Sequence, residues 1–197
     1  MAQRNKYKVE SEQEINEYIA AVKKKYWDAR HHCYAFILGD GCELQRCSDD
    51  GEPAGTAGKP ILEVLAGSGV RNALLIVTRY FGGTLLGTGG LVRAYSQAAR
   101  QAIDSAVIAV VVEAVKVGVV TDYNNIGPLQ YMAAKEKLVT VDTVYTDKVE
   151  LVLAFERERL EAVVKQLEQI TRGQGSITVD GAYTLGRDRS TGQLFLI

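Results

Sequence analysis

Two glycine-rich blocks carry most of the residues in this chain that could bind or react. They are SDDGEPAGTAGKPIL at residues 48–62 and TRYFGGTLLGTGGLVRAYS at residues 78–96. Of the 19 glycines, 10 fall between Gly51 and Gly90. Glycine loses the most conformational freedom on folding, so such clusters mark special backbone angles or the close approach of another backbone or a ligand. In the second block Gly89 and Gly90 open a helix, whose free amides suit an anion. Arg79 and Arg93 flank them, Lys59 and Arg71 add positive charge, and Tyr80 and Tyr95 carry rings on which unpaired bases stack. The plainer alternative is a tight strand-to-helix turn with solvated arginines and aromatics in the core. In the first block Asp49, Asp50 and Glu52 offer the oxygen ligands a divalent cation takes. The same carboxylates can cap turns around Gly51 and pair with Arg79 or Arg93. That reading is preferred because the block lacks the spacing of a calcium loop, so neither a metal nor a cofactor is expected.

The standard nucleotide motifs fail at named residues. A P-loop needs Lys after its last glycine, but Thr88 follows Gly87, and Gly58-Lys59 has Pro53 and Pro60 where Gly and a hydroxyl residue belong. The dinucleotide-binding pattern fails because Val92 stands where a third glycine is required. His31, His32 and Cys33, with Cys42 and Cys47, contain no CxxC pair and match no standard zinc spacing. Strand alternation would also send neighbouring residues to opposite faces. A Cys–His nucleophilic pair needs a through-space geometry that adjacency in sequence does not supply. No catalytic residue is assigned.

These residues must be held by regular elements, and the sequence implies a set of them. After a short strand at residues 6–10, Ser11-Glu12-Gln13-Glu14 has the form of a capping box. Ile15, Tyr18, Ile19, Val22 and Tyr26 then follow at helical spacing. Strands are expected at residues 31–38 and 43–47, joined through Gly39-Asp40-Gly41, with a short helix from Pro60 to Ala66. The apolar run at 72–78 predicts a buried strand, and residues 91–105 a helix. Beyond it, the order is strand (111–121), helix (124–138), two strands (139–146 and 149–156), helix (157–171) and strand (177–185). That order is βαββαβ, a ferredoxin-like unit. The chain is expected to divide at residue 112, giving an α+β protein of two domains, 1–112 and 113–197, that abut through a continuous strand. Residues 186–197 receive no assignment.

The 197 residues carry a formal net charge of -1, which excludes a globally basic nucleic-acid binder and leaves only a local basic face. Three cysteines, an odd number, argue for reduced thiols in the cytoplasm. The amino terminus MAQRNKYKVE has no apolar run, so no signal peptide is expected, and no stretch is long enough to span a membrane.

Three segments, DARHHCYAF, SDDGEPAGTAGKPIL and VTRYFGGTLLGTGGLVRAY, resemble the signature blocks of the YigZ/IMPACT family in order and separation. The second half resembles the small carboxy-terminal domain of bacterial members more loosely, through Asp122-Tyr123, Gly127 and Leu129. The resemblance implies a first domain like domain two of ribosomal protein S5 and domain four of elongation factor G. It implies a ferredoxin-like second domain. The family is linked to control of translation; its eukaryotic members act on initiation with an additional protein-binding domain, not expected in this chain. Many relatives carry Lys in FGGIKLG where this chain has Leu85 in FGGTLLG. The resemblance marks His31, Cys33, Asp49, Asp50, Glu52, Arg79 and Arg93 as family positions without giving them a chemical role. The resulting expectation is a non-enzymatic, translation-associated regulator that binds RNA or the ribosome through its glycine- and arginine-rich surface. Two alternatives stay open. One is an enzyme acting on a phosphorylated small molecule with an acidic metal-binding loop; the other is a surface for a protein partner, with both blocks architectural. The oligomeric state is left open.

Overall fold

In a computed structural model, residues 2–83 and 85–197 are described. The first compact unit ends at Ala106. Its sheet has strands β1 (Ala2–Lys8), β2 (His31–Leu38), β3 (Leu44–Ser48) and β4 (Ala73–Arg79), ordered β1-β4-β2-β3 with every pair antiparallel. The two central strands read HHCYAFIL and ALLIVTR, near-continuous apolar runs, because both of their faces are covered. On one face Cys33, Ala35, Ile37, Leu75 and Val77 pack under helices α2 (Gly58–Gly67) and α3 (Gly87–Asp104). The other face holds Phe36, Leu74 and Ile76 against Ile15 and Val22 of α1 (Glu12–Lys25). Helix α1 begins as expected, with the Ser11 hydroxyl accepting from the Glu14 amide. The Glu14 carboxylate reaches back to the amide of Glu10, one residue before the cap.

The second unit starts at Val107, six residues before the expected boundary. The reason lies in β5 (Ala109–Thr121), whose first half pairs with the end of β8 (Ser176–Asp188), from Ala109 opposite Asp188 onward. That pairing also gives structure to the unassigned tail, where β9 (Leu194–Phe195) adds to β8. Between them come α4 (Tyr123–Lys135), β6 (Val139–Tyr145), β7 (Val149–Glu156) and α5 (Leu160–Thr171). The order βαββαβ is the one expected, and the sheet runs β6-β7-β5-β8-β9. Val117, Val119, Leu151, Leu153 and Phe155 bury one sheet face against Leu129, Val163 and Leu167 of the helices.

Two differences from expectation affect the glycine blocks. Helix α3 starts at Gly87, so Gly89 and Gly90 are in its first turn and not before it. Helix α2 starts at Gly58, two residues ahead of Pro60.

Candidate functional site

The site is built at one end of the first sheet. His31 and Arg79 are directly paired across β2 and β4, where β2 begins and β4 ends. Between them comes Glu52, its side chain 4% exposed, which accepts hydrogen bonds from the Arg79 guanidinium and from the Tyr95 hydroxyl at 2.7 Å. His31 Nε2 is 3.9 Å from the same carboxylate oxygen, while its Nδ1–H donates to the Asp50 carbonyl at 2.9 Å. The Cys33 thiol donates to the Asp49 carbonyl at 3.0 Å and lies 3.3 Å from the Tyr95 hydroxyl. Glu52 thus joins the first glycine block to Arg79 and Tyr95 of the second.

The electrostatics describe a closed structural network. Burial pushes the Glu52 carboxyl up, but the bonds from Arg79 and Tyr95 and the nearby His31 outweigh it and hold its pKa below the ordinary value. Burial pushes the Cys33 thiol up to about 12, so it is a neutral thiol at physiological pH and no nucleophile. The Tyr95 hydroxyl is raised for the same reason, with Cys33 and Glu52 adding to the effect.

The other two acidic residues are also committed. Asp49 accepts from the amides of Gly55, Ala57 and Gly58 at 2.8, 3.0 and 2.8 Å, which makes it a remote cap for α2. Burial alone would raise its pKa; those three amides lower it. Asp50 accepts from the His32 amide at 2.7 Å and from Lys23 at 2.8 Å. Asp49, Asp50 and Glu52 therefore act on three different sets of partners. Among the described residues no group of three His, Cys, Asp or Glu side chains could hold a metal ion. Strand alternation separates His31 and Cys33, under α2 and α3, from His32, whose ring nitrogen donates to the Tyr26 carbonyl on the α1 side at 3.1 Å.

The nucleic-acid residues expected from sequence fall in different places. Tyr95 is 1% exposed, with its ring in the core under α3, so it is no stacking platform; its hydroxyl serves Glu52 instead. Arg71 precedes β4 and donates to the Asp40 carbonyl, whereas Arg79 ends the same strand. Six residues of strand, roughly 20 Å, separate those ends, so Arg71 and Arg79 do not form one cluster. Arg79 is held by Glu52, and its side chain is 17% exposed. Tyr80 is half-buried and donates to Asp28 at 3.1 Å. Lys59, in the first turn of α2, and Arg93, in the second turn of α3, are exposed and form no hydrogen bond or ion pair among the described residues.

The glycines of the two blocks differ in kind. In the first block a Cβ on Gly58 would lie 2.8 Å from the Ser48 backbone, and Gly51 has φ +85°. The fold itself requires those glycines. In the second block Gly82 and Gly89 have neither a positive φ nor any neighbour within 4 Å of an added Cβ. Gly89 is exposed in the first turn of a helix that has no side-chain cap and no acidic residue there. Packing gives no reason for glycine at either position. What glycine does provide there is bare backbone open to solvent. Clefts of about 390 and 470 Å³ lie elsewhere in the first unit, and neither includes Arg79, Arg93 or the loop after β4.

Sequence reasoning missed Trp27, which is 81% exposed, and the exposure of Phe81. The signal available was local: Trp27 follows three lysines and lies outside the helical spacing of α1.

An α+β protein with a three-layer first domain and a ferredoxin-like second one is the class that this fold defines. The chain belongs to the IMPACT family: residues 3–103 match the Impact N-terminal domain, and residues 119–174 match a domain of unknown function, DUF1949. It is 34% identical over 172 residues to the IMPACT family member YvyE of Bacillus subtilis, covering 86% of this chain and 78% of that one. It is 52% identical over 88 residues to the IMPACT family member YigZ of Escherichia coli, covering 44% and 43%. Over 69 residues it is 41% identical to the human Protein IMPACT, covering 32% of this chain and 20% of that one. A crystal structure described as that of a hypothetical protein superposes with a TM-score of 0.52 at 30% identity, covering 89% of this chain and 86% of that one.

Proposed function

We propose that this protein is a non-enzymatic, translation-associated module that binds RNA, free or in the ribosome, through the loop after β4 and the start of α3. The observation that carries the reading is the bare first turn of α3, with Gly89 exposed and Arg93 one turn on, without a partner among the described residues. Unpaired amides at a helix start attract phosphate, and a helix end with no acidic side chain leaves that attraction uncancelled. Arg71 lies at the other end of β4 and Arg79 is paired with Glu52, so the positive field over the start of α3 comes from the helix end and the exposed Arg93. Lys59 adds to that field at the start of α2. Arg79 contributes as a positioning residue: Glu52 fixes it at the end of β4, which sets where the loop begins.

Membership in the IMPACT family supports the link to translation. The two clefts described in the first unit lie away from this surface, and a macromolecular ligand needs no concave pocket of that kind. Fluorescence anisotropy with labelled RNA, and co-sedimentation with ribosomes, test the proposal. Binding that weakens steeply between low and physiological salt is the expected result. Absence of binding to both at low salt, together with thermal stabilisation by a nucleotide and magnesium, would instead favour an enzyme of phosphorylated small molecules.

A further inference from the structure

Tyr95 is buried, so the proposed RNA surface needs its aromatic contacts from elsewhere. Trp27 is 81% exposed, the most exposed aromatic ring among the large exposed side chains of the first unit, and Phe81 is 46% exposed. Both belong to one edge of the domain. The turn after α1 is tied to the end of β4 by three contacts: the Arg30 amide donates to the Arg79 carbonyl at 3.2 Å, Tyr80 donates to Asp28 at 3.1 Å, and the Arg30 guanidinium lies 5.8 Å over the Phe81 ring. The turn that carries Trp27 is therefore tied to the strand end from which the loop toward α3 begins.

Charge decides which occupant this edge suits. Lys24, Lys25 and Arg30 surround Trp27 in sequence and are exposed. The one carboxylate among them, Asp28, accepts from Tyr80. An apolar peptide would leave these cations without partners, whereas a single strand of RNA brings a phosphate for each base it stacks. A duplex keeps its bases stacked on one another and offers no free face.

We propose that Trp27 and Phe81 are the stacking platform for unpaired RNA bases, with Arg30, which lies over the Phe81 ring, meeting the phosphates. The proposal rests on the reading of this surface as an RNA site. Trp27 is the one tryptophan of the chain, so its fluorescence reports the contact directly.

The test titrates the full chain with a short single-stranded oligouridine, with tryptophan emission and, using a labelled oligonucleotide, anisotropy measured separately. Quenching of Trp27 with the same midpoint as the anisotropy change is expected. Trp27→Ala should weaken binding about 5- to 160-fold, the range for one lost base–aromatic stack. Trp27→Phe should recover most of that loss. Because Trp27 is exposed, these variants leave the fold intact, which thermal melting checks. Binding seen by anisotropy with unchanged emission and an unaffected Trp27→Ala affinity would overturn the platform and leave the anion surface standing. Ribosome binding that needs Trp27 without any affinity for the oligonucleotide would overturn it in favour of a protein contact. No binding in either format would overturn the RNA reading itself, and the platform with it.

Discussion

Glu52 and Gly89 show that residues in the same pair of glycine blocks do opposite kinds of work. Glu52 is a buried acceptor that holds Arg79 and Tyr95, so its loss strands two polar partners. Glu52→Ala should destabilise the first domain by about 3 kcal/mol in urea unfolding, as removing one side of a buried pair does. The pH dependence has a definite sign. Its folded pKa lies below the ordinary 4.5, so its stabilisation is complete above that value and is lost as pH falls through the folded pKa. At the alkaline end the unfolded Cys33 thiol ionises near 9.0 while the folded one stays neutral up to about 12, so stability falls as pH rises across that interval. Glu52→Gln should make the acid limb shallower by the share of Glu52, leaving the shares of Asp49 and Asp50, whose carboxyls are also held low. A limb as steep as in the native protein would contradict this account of Glu52. Gly89 is the converse case. With no neighbour within 4 Å and no positive φ, Gly89→Ala should leave stability unchanged or raise it by about 0.5 kcal/mol. The same change should weaken RNA binding, because a methyl group would stand over the amides of the first turn. Equal RNA affinity in the two proteins would show that Gly89 is not part of the interface.

At the level of elements, the start of α2 is the clearest case of long-range capping. Ala57 at the cap position has no side chain to offer, and Asp49 supplies the acceptor from eight residues upstream. Asp49→Ala should cost about 1–2 kcal/mol, with amide exchange rising first at Gly58. A uniform rise across the domain would mean that Asp49 holds the whole fold and not the helix end. Much of the secondary structure was legible because its signals are local. The apolar runs of β2 and β4, the helical spacing of α1 and the βαββαβ rhythm of the second half each follow from the side chains in one segment. The start of α3 was placed four residues late because glycine at 87, 89 and 90 reads as loop, and helical backbone there is set by the loop and by the burial of Leu91 and Tyr95. The candidate site was legible in part. The blocks pointed to the right region, but which tyrosine faces solvent depends on how α3 turns against the sheet. Tyr95, with Leu91, Ala98, Ala99 and Ala102, follows helical spacing and belongs to the buried stripe. The domain boundary was displaced for a similar reason, since the first half of β5 is defined by its partner β8, nearly eighty residues later in the chain.

For the whole molecule, the surface proposed for RNA belongs to the first unit, and the two units are each compact. The fragment ending at Ala106 should therefore retain RNA affinity and its salt dependence, while the fragment starting at Val107 should bind at least tenfold more weakly in the same assay. Comparable affinity of the second fragment would move the interface to the ferredoxin-like domain. No helix among the described residues is long and apolar enough to cross a membrane. The most direct measurement of the central claim is the slope of log affinity for single-stranded RNA against log salt, for the native protein and for Arg93→Ala. Each phosphate contact on a single strand contributes about 0.7 to that slope. Arg93 is exposed and without a partner among the described residues, so its loss should reduce the slope by about that amount without changing thermal stability. A slope identical in the two proteins, or no binding at low salt, would contradict the assignment of this surface to RNA.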